Sequence, residues 1–180
     1  MGQIYSENVM NINNPRIGLL NIGEEKSKGN KLTSETYKLL ETDNRIKNFV
    51  GNIEGRDIFK DTCDIVISDG FIGNIVLKTT EGAASYLMSS LKDILQRNII
   101  TKIGALILKP YLKKLKDQID YRQYGGAPLL GIKGVVIISH GSSDSEAIFN
   151  AIKVAKNTVE KNVVKLIESK INREGENNDT

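Results

Sequence analysis

Four short runs of β-branched and aliphatic residues, separated by longer helical stretches, constrain the fold of this chain most. The runs are Arg16–Ile22, Asn48–Ile53, Asp64–Ser68 and Gly134–Ser139. Most of them are continuous rather than alternating, which is typical of strands buried on both faces of a parallel sheet. Parallel strands need long crossover connections, usually helices. The pattern therefore predicts an α/β fold with a mostly parallel sheet.

Three helices are predicted around these strands. Ser34–Glu41 begins with a residue type that caps helices, and Gly73–Arg97 and Asp144–Ile171 carry apolar residues close to the 3.6-residue period. The last residues, 171–180, are polar, and we expect them to form a frayed tail.

Composition excludes several classes of protein. A chain of 180 residues with 39% hydrophobic and 26% charged residues suits a soluble globular protein. Its net charge of +3 is too small to indicate nucleic-acid binding. The single cysteine, Cys63, excludes an internal disulfide and a multi-cysteine metal site. No apolar run approaches the roughly 20 residues of a membrane-spanning helix.

The segment Arg97–Lys116 is basic and amphipathic, with no acidic residue. Together with the helix before it, it predicts a helical hairpin over about residues 81–119, with a break near Asn98 and Pro110 interrupting the second arm. Such a segment can lie on an anionic membrane surface, or its apolar face can pack against a partner subunit. The residues expected on that apolar face are Ile99, Ile103, Leu106 and Ile107.

Three predicted strands run into glycine-rich polar turns, Asn21–Asn30, Ser68–Asn74 and Ser139–Ala147. Ligands of parallel α/β sheets bind at the carboxyl ends of the strands, where helix N-termini offer free backbone N–H groups to anions. Three such turns at one edge of one sheet favour an anion pocket. None of them matches a nucleotide-binding glycine motif.

Polar residues of these turns carry both functional and structural interpretations. Lys28 can pair with a phosphate or an oxyanion, or be a solvated loop lysine. Asn74 can bind a ligand or only cap a helix. His140, the single histidine, can exchange protons, donate to a phosphate or tie its loop to the backbone. Ser142 and Ser143 precede a helix, where capping residues are expected anyway.

Five long segments resemble the C-terminal half of the PlsX family of phosphate:acyl-acyl-carrier-protein acyltransferases. They are NPRIGLLNIGEEKSKGN, NFVGNIEGRDI, DIVISDGFIGNIVLKTTEG, YGGAPLLG and SHGSSDSEAIFNAI, and they extend over most of residues 14–155. The resemblance implies an α/β/α sandwich like that of isocitrate and isopropylmalate dehydrogenases, with a protruding helical hairpin, in a homodimer. Because family members are nearly twice as long, we interpret residues 1–170 as the C-terminal part of such a domain and expect the N-terminal half to be absent.

The resemblance also implies a reaction. The family transfers a long-chain fatty acyl group from acyl carrier protein to inorganic phosphate, which gives an acyl phosphate for phospholipid synthesis. Since phosphate is itself the nucleophile, no serine or cysteine nucleophile is needed, and we expect no cofactor and no metal. The implied location is the cytoplasm, with peripheral association to an anionic membrane surface.

The family motifs assign roles to particular residues. Lys28, in the KGN motif, is expected to stabilise charge in the transition state, and Asn74, which ends DGFIGN, to orient phosphate. The phosphate pocket is expected to be completed by Gly70, Gly73, His140, Gly141, Ser142 and Ser143. Membrane contact is expected from Ile99, Ile103 and Ile107.

Two other functions fit parts of the pattern. One is a short-chain phosphate acetyl- or butyryltransferase that uses coenzyme A, although such an enzyme has no need of the basic apolar hairpin. The other is a catalytically incomplete fragment that binds a membrane or a partner protein.

Overall fold

The computed structural model describes residues 1–172, except for the side chains at positions 116, 118, 119, 121 and 172. Most of the predicted polar tail, from residue 173 onward, lies outside the described residues. The elements in chain order are α1 (Gly2–Asn8), β1 (Ile17–Asn21), α2 (Lys31–Thr42), β2 (Phe49–Glu54), β3 (Ile65–Ile67), α3 (Gly70–Gln96), α4 (Ile99–Ile119), β4 (Ala127–Pro128), β5 (Ile137–Ile138), α5 (Ser145–Glu160) and α6 (Val163–Asn172).

These residues form two compact units. The first unit contains Met1–Asp69, Pro128–Ile138 and the described residues from Lys153 to 172. The second unit contains Gly70–Ala127 and Ser139–Ile152.

The first unit is built on a three-stranded sheet in the order β2-β1-β3, and β1 runs parallel to both of its neighbours. Leu19 of β1 is paired with Asn52 on one side and with Ile67 on the other. Ile17, Leu19 and Leu20 are all buried, as expected for a central strand covered on both faces. The predicted α/β class and the parallel sheet are therefore confirmed.

A second apolar cluster of the first unit joins its helices. Ile4 of α1 packs with Val163 and Ile167 of α6, and all three are buried. No pattern in the sequence predicted α1, which has only seven residues.

The prediction of a fourth strand over Gly134–Ser139 is wrong in extent and in place. Only Ile137–Ile138 form a strand, and they pair with β4 in a separate two-stranded sheet. The preceding residues close a turn in which the Leu129 N–H donates to the Val136 carbonyl at 2.8 Å. Gly131 in this turn has φ of +89°, a left-handed conformation that suits glycine.

Three predicted helices also differ in their boundaries. Helix α3 begins at Gly70 rather than at Gly73. Helix α2 begins at Lys31 rather than Ser34, because Asn30 and Thr33 form a reciprocal capping box ahead of it. The helix predicted over Asp144–Ile171 is two helices, since Asn162 adopts φ of +52° and ends the regular backbone between α5 and α6. The apolar periodicity continues across this break, so it gave no signal of it.

Helices α3 and α4 follow one another in the second unit and contact each other. The predicted break near Asn98 is confirmed, and Asn98 forms a capping box with Thr101 at the start of α4. The expected interruption at Pro110 is wrong, because α4 continues through it. A proline removes one backbone donor, which a helix of 21 residues tolerates here.

The buried centre of β1 predicts a large loss of stability on truncation. We expect Leu19→Ala to lower the free energy of unfolding by about 3 kcal/mol, because it removes buried methyl groups and leaves a cavity in the sheet. Urea denaturation measures this change. Leu39→Ala is the control, since Leu39 on α2 is 70% exposed and its truncation should cost less than about 0.5 kcal/mol. Equal losses in the two variants would contradict the placement of β1.

Candidate functional site

The first glycine-rich turn, between β1 and α2, holds Lys28 by its backbone. Asn21 Nδ2 donates to the Lys28 carbonyl at 3.0 Å, and the Lys28 N–H donates to the Glu25 carbonyl at 3.0 Å. Asn52 of β2, which is buried, donates from Nδ2 to the same Glu25 carbonyl at 2.9 Å. The side chain of Lys28 is exposed, and no hydrogen bond or ion pair of the described residues engages its ammonium group. The turn therefore fixes the backbone and leaves this cation open to a ligand.

Glycine is required beside Lys28 for steric reasons. Gly29 has φ of +100°, and a Cβ there would lie 2.2 Å from Thr33 Oγ1 and 2.5 Å from Asn21 Oδ1. A Cβ on Gly23 would lie 2.9 Å from Cγ of Lys28. Since Thr33 belongs to the capping box of α2 and Asn21 holds the Lys28 carbonyl, a larger residue at Gly29 would disturb both.

The second turn leads from β3 into α3, and it places Asn74 inside the helix. Because α3 begins at Gly70, Asn74 lies a full turn beyond the helix start. The interpretation of Asn74 as a helix cap is therefore wrong. Its side chain is exposed on α3, where it remains available to a ligand.

The third turn holds His140 and the serines that follow it. His140 Nδ1 lies 2.7 Å from Ser142 Oγ, and the Ser143 N–H donates to the His140 carbonyl at 3.0 Å. Ser143 Oγ is buried and has no hydrogen-bond partner among the described residues. An unpaired buried hydroxyl is costly, so a ligand that hydrogen-bonds to Ser143 would remove that cost.

Neighbouring residues of the second unit anchor this third turn. Ser139 Oγ donates to the Gly125 carbonyl at 3.0 Å, and Arg122 Nη1 lies 3.3 Å from Asp144 Oδ2. Asp144 caps α5 by accepting from the Ala147 N–H at 3.0 Å, and this bond holds the pKa of the Asp144 carboxyl below its ordinary value. The turn is thus fixed at both ends while its centre stays exposed.

Lys78, which was not among the predicted site residues, links the third turn to α3. Its Nζ lies 3.3 Å from His140 Nε2 and 2.7 Å from Glu81 Oε2. Lys78 follows Asn74 by four residues, so both lie on one face of α3. The four-residue spacing is the signal that could have identified it. In the second unit the structure thus brings Asn74, Lys78 and His140 into one neighbourhood, whereas Lys28 belongs to the first unit.

The expectation that all three turns follow strands of one sheet is wrong. The first two follow β1 and β3, which are adjacent and parallel, but the third follows β5 in the two-stranded sheet. A Cβ on Gly70 or Gly141 would meet no atom within 4 Å, so packing within the chain does not require glycine there.

The structure also contains a partly enclosed cavity. It has a volume of about 200 Å³ in the first unit, and none of the predicted site residues lines it. Its walls are mainly apolar side chains of the segment 128–136 and of α6. Burial raises the pKa of the Cys63 thiol, so this group is a poor nucleophile. Residues 1–172 contain no cluster of three or more His, Cys, Asp or Glu side chains suited to a metal ion.

The predicted apolar residues of α4 are exposed to solvent. Ile99, Ile103 and Ile107 are 75%, 55% and 70% exposed. Between α3 and α4 lies an open groove of about 670 Å³, lined by apolar side chains and by Lys92, Lys109 and Lys113. No helix of the described residues is long and apolar enough to cross a membrane.

Comparison with known proteins finds similarity over nearly the whole chain. Residues 1–166 match the sequence profile of the fatty acid synthesis protein family. A phosphate acyltransferase of Halothermothrix orenii is 64% identical over 98% of this chain and 53% of its own length. A phosphate acyltransferase of Thermoanaerobacterium thermosaccharolyticum is 52% identical over 95% of this chain and 51% of its own length. One of Campylobacter jejuni subsp. doylei is 49% identical over 96% of this chain and 52% of its own length.

The chain spans about half the length of the curated relatives it matches. Within that span the similarity includes all three glycine-rich turns and α4. The chain therefore belongs to the fatty acid synthesis protein family, the PlsX family that its motifs resemble.

Proposed function

We propose that this chain is part of an enzyme that transfers a long-chain fatty acyl group from acyl carrier protein to inorganic phosphate, and that the acyl phosphate serves phospholipid synthesis. The observation that carries the proposal is the family match over residues 1–166, together with relatives named phosphate acyltransferase. In this reaction a phosphate oxygen attacks the thioester carbonyl, the carbon–sulfur bond breaks, and the thiol of the carrier leaves. The protein must hold a dianion and stabilise a tetrahedral oxyanion.

Each unit is proposed to contribute groups of its own. In the second unit, phosphate would bind at Asn74 and at the turn His140–Ser143, where the unpartnered Ser143 hydroxyl can hydrogen-bond to it. Gly70, Gly73 and Gly141 would leave room for the anion at the helix start and in the turn. In the first unit, Lys28 would supply positive charge to the transition state, since its ammonium group has no partner among the described residues. Neither role requires a cofactor or a metal.

The acyl donor distinguishes this proposal from a short-chain enzyme that uses coenzyme A. Thiol release from long-chain acyl carrier protein and from acetyl coenzyme A, each with and without phosphate, measures the preference directly. Phosphate-dependent release from the long-chain carrier supports the proposal. Release from acetyl coenzyme A alone would favour the short-chain alternative, and no release from either donor would favour a catalytically incomplete fragment.

Removal of the Lys28 ammonium group should impair chemistry. We expect Lys28→Ala to lower phosphate-dependent turnover by roughly 100-fold, in line with the loss of one group that stabilises an oxyanion. Lys31→Ala is the matched control, because Lys31 is 89% exposed and pairs only distantly, at 3.8 Å, with Glu35. Near-normal turnover in Lys28→Ala would remove Lys28 from the mechanism.

We also propose that α4 associates with an anionic membrane surface from the cytoplasmic side. Ile99, Ile103 and Ile107 recur at intervals of four residues and are all exposed. Lys102 and Lys109 flank them on the same helix and are exposed too. An exposed apolar stripe bordered by lysines gains both apolar burial and attraction to anionic lipid.

A charge in the middle of this stripe should abolish membrane association. We expect Ile103→Asp to prevent flotation of the chain with anionic vesicles, because insertion would bury the new carboxylate. Leu39→Asp is the control, since Leu39 is similarly exposed but lies on α2 in the first unit. Unchanged flotation of Ile103→Asp would contradict the membrane role.

A homodimer is the remaining element of the proposal. Helix α3 has no buried residue and carries exposed apolar side chains, among them Phe71, Leu77 and Leu87. A second copy that covers part of this surface would remove it from water. Sedimentation equilibrium tests this, and a monomer at all concentrations would contradict it.

A further inference from the structure

Lys78 occupies the centre of the polar cluster in the second unit. Its ammonium group contacts His140 Nε2 at 3.3 Å and Glu81 Oε2 at 2.7 Å. Its helical position places it one turn from Asn74 on the same face of α3. The side chain is 52% exposed, so solutes can reach it.

Hydrogen-bond chemistry sets the direction of these contacts. An ammonium group can only donate, so the contact with Lys78 requires the tautomer of His140 in which Nε2 accepts and Nδ1 carries the hydrogen. Two of the three N–H groups of Lys78 are then occupied, one by Glu81 and one by His140. No other partner among the described residues contacts Lys78, and the third N–H can donate to an anion.

The carboxylate of Glu81 balances the positive charge of Lys78. The hydrogen bond from Lys78 holds the pKa of Glu81 below its ordinary value, so Glu81 remains ionised at neutral pH. An exposed pair three residues apart on a helix contributes little to stability. The pair is therefore better explained as an exchangeable one, in which a stronger anion competes with Glu81 for the ammonium group.

We infer that Lys78 is a phosphate-binding residue, and that Glu81 is the internal anion with which phosphate competes for it. The inference rests on the proposed function, since it deepens the phosphate site at Asn74 and the turn His140–Ser143. Phosphate held there would accept from Lys78 and lie beside His140, which Lys78 contacts. The neighbouring carboxylate makes phosphate binding weaker than the lysine alone would make it.

The single histidine of the chain allows a direct test. Imidazole signals in a long-range proton–nitrogen NMR spectrum belong to His140 alone, and titration with inorganic phosphate follows their shift. Titration with sodium chloride at matched ionic strength separates binding from screening. We expect Lys78→Gln to weaken phosphate binding roughly tenfold or more, as expected for the loss of a charge-assisted hydrogen bond, and Lys78→Arg to retain most of it.

Removal of the competing carboxylate should have the opposite effect. We expect Glu81→Gln to tighten phosphate binding by roughly threefold to tenfold, because Lys78 loses its internal partner. Lys92→Gln is the matched control, because it removes one exposed positive charge from the same helix. Its affinity for phosphate should equal that of the wild type. An unchanged melting temperature in each variant verifies that the fold is retained.

The outcomes separate this inference from the proposed function. Equal phosphate affinity in wild type and Lys78→Gln would overturn the role of Lys78 while leaving a phosphate site at His140. If Lys78→Gln and Lys92→Gln weaken phosphate binding equally, the effect comes from the overall charge of the protein, and the role of Lys78 is also overturned. If phosphate does not shift the His140 signals in any variant, both the inference and the proposed phosphate site are overturned. Phosphate binding that depends on Lys78, without thiol release from any acyl donor, would support the inference and contradict the proposed reaction.

Discussion

Parallel pairing of β1 with a strand on each side is the constraint on which the first unit depends. A strand in this position must be apolar on both faces, and Ile17, Leu19 and Leu20 meet that requirement. Arg16, just before β1, binds the start of the neighbouring strand segment, with its N–H and Nε donating to Asp64 Oδ2 at 2.7 and 3.1 Å. With its start fixed in this way, β1 ends at Asn21, whose side chain then holds the Lys28 carbonyl. The position of a candidate catalytic lysine thus follows directly from strand register.

Much of this arrangement is readable from the sequence, because local chemistry and global fold agree there. Continuous apolar runs identified β1 and β3, and the break between α3 and α4 coincides with a good capping residue, Asn98. Prediction failed where contacts between distant parts of the chain decide the local structure. The run Gly134–Ser139 is as apolar as a central strand, yet most of it is used to complete a turn against β4. Helix α4 continues through Pro110. The left-handed backbone of Asn162 separates α5 from α6, although this residue is neither glycine nor proline.

The candidate site was harder to predict than the fold, for a physical reason. Lys28 is an exposed lysine in a loop, and nothing in its residue type distinguishes it from a solvated one. The resemblance to a family singled it out, whereas its backbone hydrogen bonds to Asn21 and Glu25 explain only why its position is well defined. Lys78 presents the reverse case, since no motif marked it. Its proximity to His140, 62 positions away in the sequence, appears only in three dimensions.

Charge pairing around the third turn fits the demands of phosphate as a nucleophile. Two cations beside it have carboxylate partners, Lys78 with Glu81 and Arg122 with Asp144. If Lys78 binds phosphate, this pairing limits how strongly the ground state is held. An anion bound tightly by unpaired cations would lose nucleophilicity, and binding that is equal in ground and transition states does not raise turnover. A lysine shared with a carboxylate can still position phosphate. For the charge that develops on the thioester oxygen we propose Lys28, whose ammonium group has no partner among the described residues.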